Sequence, residues 1–409
     1  MSRTVGRILL ALAILGVLAF SPIRGISGVN PNFIVLGYND LGMHCMNQDF
    51  SQFMILPCYN TLHAQVIDKS SVPSRIVTDG IVIRYSVPGN TTSVTKTNFW
   101  RFVPSLLGVS LRPDVGLTGN KLSGKMKTTG LGDWSATGIP LTPMTDRRNI
   151  DTFQLASIVV TAGGQTLART KAVVPVSWEL RCDLCHHGLP DAPKSVLQAH
   201  DLLHGTSLYD PATKGPANGK PVLCGGCHAQ PELGLAGQPG RNNLSRAMHL
   251  AHSSRMMDCV AMVPDGVVCY ACHPGLKTQC LRDIHSQLGM TCYDCHGNGT
   301  TDPPTAMLAV ADPGRQPWLT EPRCTDCHAR EGSEYEQPNT LFRNSKGHGG
   351  VFCEGCHNST HALVPAKNAE DNAQAMRVQG FVWPIYKCTA CHKTTPQGLF
   401  RHRWIKIEE

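Results

Sequence analysis

Fourteen of the 18 cysteines in this 409-residue chain fall into seven copies of one run, C-x-x-C-H. In chain order the motifs begin at Cys182, Cys224, Cys269, Cys292, Cys324, Cys353 and Cys388. With 18 Cys and 18 His in the chain, chance predicts roughly 0.03 such runs, so the spacing itself carries meaning. Two thiols three residues apart lie on one helical turn and can form thioethers to the two vinyl groups of a haem. The histidine that follows is then held at the iron as its proximal ligand. A zinc ribbon does not require histidine after every second cysteine, and a thioredoxin-like redox pair does not come in sevens. The motifs predict seven haem c groups and their iron. Attachment falls to Cys182, Cys185, Cys224, Cys227, Cys269, Cys272, Cys292, Cys295, Cys324, Cys327, Cys353, Cys356, Cys388 and Cys391. The proximal ligands are His186, His228, His273, His296, His328, His357 and His392.

Eleven histidines remain, enough to give each iron a second imidazole. His200 and His204 stand at i, i+4 on one face of an expected helix, and His249 and His252 at i, i+3 could serve two different irons. His285 precedes the fourth motif, and His348 and His361 bracket the sixth. These seven are the distal candidates, with His348 and His361 expected at two different haems. His402 is held in reserve, and it would displace His204 or His200 first. His187 follows a proximal ligand directly and points elsewhere. Methionine is the axial alternative and would raise the potential of an iron it ligated.

With these motifs the chain resembles the multihaem c-type cytochromes of metal-reducing and other anaerobically respiring bacteria. The resemblance covers residues 182–392 and rests on the seven motifs. It rests also on Gly347-His348-Gly349-Gly350 before Cys353 and His357-Asn358-Ser359-Thr360-His361 around the end of the sixth motif. It implies a protein that carries electrons along closely spaced haems, in anaerobic or extracellular respiration.

The elements that must position these groups divide into two kinds. One motif per roughly 30 residues leaves too little chain for an ordinary core around each haem, so short helices and loops are expected to wrap the porphyrins. Residues 29–180 contain no motif and read as strands. Ile81–Val87 alternates, and Ala156–Thr161 and Thr166–Val176 flank Gly163-Gly164, a hairpin signal. The expected fold is therefore α+β and multidomain: an antiparallel β domain over 29–180, a sandwich on this reading, then a loop-rich, mainly short-helical heptahaem domain over 181–409. Residues 1–28, with Arg3, Arg7 and the apolar run Ile8–Phe20, read as a signal peptide for export to the periplasm or cell surface. No later stretch is apolar for long enough to span a membrane.

Four cysteines lie outside the motifs. Cys45 with Cys58, and Cys259 with Cys280, could close disulfides in an oxidising compartment. His44, Cys45, Cys58 and His63 are also the residue types of a copper or zinc site, and His44 or His63 could reach a haem. The net charge is +7, but fourteen haem propionates would more than offset it, so the basic balance is no nucleic-acid footprint. The expected partners are other redox proteins or extracellular electron acceptors. Nothing marks a nucleotide or acyl-transfer enzyme, and two imidazoles per iron leave no open position for a substrate. Two alternatives stand beside the carrier. One is an oxidoreductase of small nitrogen or sulfur compounds with one open haem; no C-x-x-C-K occurs, so the lysine-ligated type is absent. The other is a self-assembling protomer of an extracellular cytochrome filament.

Overall fold

The computed structural model describes residues 29–187, 191–328, 337 and 339–397. The signal-peptide reading of 1–28 and the reserve ligand His402 lie outside the described residues.

The strands are β1 (Phe33–Tyr38), β2 (Leu62–Asp68), β3 (Arg75–Val77), β4 (Val82–Ser86), β5 (Ser123–Lys125), β6 (Lys127–Thr128), β7 (Trp134–Ala136), β8 (Leu155–Ala162) and β9 (Gln165–Val173). They form two antiparallel sheets, one ordered β1-β2-β7-β6 with β3 on β2, the other ordered β9-β8-β4-β5. Alternation builds the second sheet: Ile83 and Tyr85, then Ala156, Ile158 and Val160, then Ala168 and Ala172, all turn inward. Gly163 and Gly164 close the expected hairpin, both at positive φ (53° and 81°), which a side chain at either place would strain. The inward faces of the two sheets meet with Val35, Leu62, Ala64, Ile83 and Ile158 in one apolar core. Helix α1 (Phe99–Leu107) buries Phe99 and Val103 against it.

Beyond residue 180 the chain is a series of short turns. The longer helices are α2 (Ala192–His204), α3 (Leu244–His252), α4 (Pro303–Val310) and α5 (Ala369–Gln379). Asp191, Asn243 and Asp302 cap the first three by accepting N–H bonds from Lys194, Arg246 and Thr305. Mixed α+β architecture is thus observed.

The two regions interlock. Val176–Ser177 pairs in parallel with His44–Cys45, and Val222–Leu223 with Phe53–Met54. Gln65 joins Phe352 and Gly350, and Glu179 accepts from the N–H groups of Lys277 and Thr278. Buried Arg282 donates to both carboxylate oxygens of Asp371 and to the carbonyl of Gly42.

Candidate functional site

Each C-x-x-C-H run folds into a single turn, as the spacing requires. In five of the seven a 3-10 turn ends with the histidine N–H donating to the carbonyl of the first cysteine, at 2.8–2.9 Å. The other two, Cys292–His296 and Cys353–His357, are one turn of α-helix. Both thiols and the imidazole therefore leave the same short arc of backbone.

Six motif histidines each face one histidine from outside the motifs. The ring centroids are 6.3 Å apart for His186 and His252, 6.4 Å for His228 and His200, and 6.2 Å for His273 and His249. They are 6.2 Å apart for His296 and His361, 6.0 Å for His328 and His285, and 5.9 Å for His392 and His348. Six ångströms is ordinary for two packed aromatic rings, so no single pair decides anything. The repetition does, because every pair joins one motif imidazole to one non-motif imidazole. A metal bonded at about 2.0 Å to each Nε2 would put the ring centroids about 6 Å apart.

The other ring nitrogen of most non-motif partners is already engaged. Nδ1 of His249 lies 2.7 Å from the Ser245 carbonyl, and Nδ1 of His252 lies 2.7 Å from the Met248 carbonyl. Nδ1 of His200 lies 2.8 Å from the Thr206 hydroxyl, and that of His285 lies 3.3 Å from Asp283. Bonding through Nδ1 fixes the tautomer and leaves the Nε2 lone pair for a ligand. The His361 ring is buried, its Nδ1 makes no regular hydrogen bond among the described residues, and the Leu41 backbone lies close to the ring. Burial, with the facing imidazole second, pushes His273 down to about 4 and His296 to about 3, so both are neutral donors at pH 7.

A continuous cavity of 2480 Å³ is lined by cysteines from every motif except the second. Ordinary small-molecule sites span about 300–1,000 Å³, so the space suits several large apolar groups rather than one. His249, His252, His285, His348 and His361 line it opposite the motif histidines, and so does His357. Cys269 and Cys292 hydrogen-bond to one another, so the third and fourth motifs abut. Burial raises Cys224, Cys272 and Cys356 to about 12, the reverse of the depressed thiols of redox pairs and zinc sites.

Among the described residues no group of three or more His, Cys, Asp or Glu side chains could hold a bare metal ion. A porphyrin brings four of six donors, so two facing imidazoles and two thiols on one turn are the complement it needs from the chain. The residues fit that group.

Four expectations need correction. His204 is exposed, and its ring lies 4.9 Å from His200 while His200 alone reaches the second motif. One helical turn beyond His200, it overshoots. The copper or zinc set is also not assembled. His44 is engaged by Asn39 and Asp40, and His63 by Asp133 at 2.9 Å, while Cys58 is buried in the sheet core. Neither expected disulfide is formed. Cys45 lies close enough to Cys280 for the two thiols to interact, and Cys259 sits 3.4 Å from Cys185. Sequence proximity was the wrong guide, because the fold brings each of these cysteines near one distant in the chain while Cys58 lies in the sheet core.

No protein-family model, curated protein or solved structure matches the chain.

Proposed function

We propose that the chain is an exported c-type cytochrome that binds seven haems covalently and carries electrons between redox partners. The observation that carries this reading is the set of six imidazole pairs, each built from one motif and one non-motif histidine at 5.9–6.4 Å. When bound, haem supplies an iron that accepts and releases one electron at a time.

The chain's own residues do the rest. The paired cysteines of each motif would hold a haem by two thioether bonds, and the motif histidine would supply one ligand to its iron. His252, His200, His249, His361, His285 and His348 would supply the second ligand at motifs one, two, three, four, five and seven. Their Nδ1 partners, where present, hold the rings at the required rotation. Two imidazoles at each of these six irons would leave no site for a substrate there, which favours a carrier over an oxidoreductase. The buried walls of the cavity, with Met256, Val268, Tyr293 and Met307, keep water from the cofactor faces.

Haem per chain, quantified after acid-acetone extraction, tests the reading together with the paramagnetic resonance spectrum of the oxidised protein. The expected result is seven non-extractable haems, all low-spin. Five or fewer haems would overturn the assignment. A high-spin component near one seventh of the total iron would favour the oxidoreductase alternative instead.

A further inference from the structure

The outward face of the sheet β9-β8-β4-β5 has a charge pattern that electron carriage does not use. Its strands hold four cations, Arg84, Lys125, Arg169 and Lys171, and no carboxylate. All four are exposed, and none takes part in an ion pair among the described residues. Register aligns them. Lys125 lies directly opposite Arg84, Arg84 opposite Val159, and Val159 opposite Arg169. Lys171 stands in the next outward row, opposite Ser157. The row from Lys125 to Arg169 crosses three strand spacings, about 14 Å.

Like charges directly opposite across two strands are destabilising. Lysine on edge strands is a common guard against edge pairing, which accounts for Lys125 on β5 and for the cations of β9. It does not account for Arg84, which sits on the interior strand β4 facing a second cation. We propose that this sheet face is a docking surface for an anionic lipid bilayer.

The surface chemistry selects that occupant. Between the cations the outward side chains are small or aliphatic, Val82, Ser86, Ser123, Ser157 and Val159 among them, and none of these is an aromatic anchor. Protein interfaces concentrate energy in aromatic and arginine hot spots and are depleted in lysine. Single-stranded nucleic acid needs stacking platforms, and duplex readout needs an element that enters a groove. A cationic array with neither matches a surface of anionic headgroups. The docking surface is independent of the haem reading, because no motif residue contributes to it.

Co-sedimentation of the full-length, haem-loaded protein with vesicles tests it, using phosphatidylcholine alone and phosphatidylcholine with about a third phosphatidylglycerol. Binding is expected only to the anionic vesicles, and it should weaken as salt rises, since the charges are exposed. Each cation removed should weaken it about fivefold, and Arg84→Gln, Lys125→Gln, Arg169→Gln and Lys171→Gln together roughly several hundredfold. The four substitutions leave the core untouched, so the thermal transition should stay in place or rise. If the quadruple variant does not fold, Arg84→Gln alone with the same fivefold expectation serves. Equal binding to both vesicles, no binding to either, or unchanged binding by the variant would overturn the proposal. So would tighter binding to a duplex oligonucleotide at the same salt, which would point to nucleic acid.

Discussion

His200 and His204 show how far residue-scale chemistry reads from sequence. Their i, i+4 spacing places both on one face of α2, yet only His200 meets a motif histidine, His228 at 6.4 Å. The residue types were legible, and so was every motif histidine, because the C-x-x-C-H spacing ties two cysteines and a histidine to one turn. The pairings were not, since partners stand 24 to 66 residues apart and only the folded chain brings them together. His348 and His361 do face two different motif histidines, His392 and His296, because Gly349 at φ 63° and His361 at φ 63° turn the chain on each side of the sixth motif. A contrast between the neighbours follows. His200→Ala should open one iron, producing a high-spin signal and carbon monoxide binding in the reduced protein. His204→Ala should leave the spectrum unchanged. The reverse outcome would make His204 the ligand and the observed pairing wrong.

At the scale of an element, α3 does the most with the fewest residues. Nine residues carry His249 and His252, whose partners are His273 and His186, so one helix supplies two separate motifs. Isolated helices this short are marginal, and α3 depends on what anchors its ends and its face. Asn243 anchors the first turn, its side-chain oxygen accepting the N–H of Arg246 at 2.8 Å. Asn243→Ala should lower stability by about 1 kcal/mol, the usual loss for a cap, seen as a lower denaturation midpoint. Two iron bonds would hold the helix meanwhile, so both irons should remain low-spin. A high-spin fraction in this variant would mean that the cap, and not the metal, sets the position of the two imidazoles. The β elements were the more legible ones. Alternation and Gly163-Gly164 predicted the hairpin to within a few residues, whereas the short turns of the motif region follow the motifs themselves and have little periodicity to read.

Across the whole molecule the two regions are bound together more tightly than a boundary near residue 180 suggests. Short parallel strand pairs and side-chain bridges cross it, and such contacts between distant segments have no sequence signature. Arg282 is the central node. Its side chain is fully buried and divides its donors among Asp371, Gly42 and the Cys280 carbonyl, at 2.7–3.1 Å. Its backbone N–H donates to the His361 carbonyl, and its carbonyl accepts from Lys367. One residue thus ties the β-region loop at Gly42 to α5 and to the loop that presents His361. Removing one partner of a buried ion pair leaves the other charge uncompensated, at a cost of about 3–5 kcal/mol. Arg282→Met should therefore destabilise the chain by that order, and Arg282→Met with Asp371→Leu should recover much of the loss. The measurement is chemical unfolding followed in parallel by haem absorbance and by the far-ultraviolet signal of the sheets. If Arg282 joins the two regions, the wild-type transitions coincide and the single variant shifts both. Separate wild-type transitions, with only the haem signal moving in the variant, would show that the β region folds independently and that Arg282 serves the motif region alone.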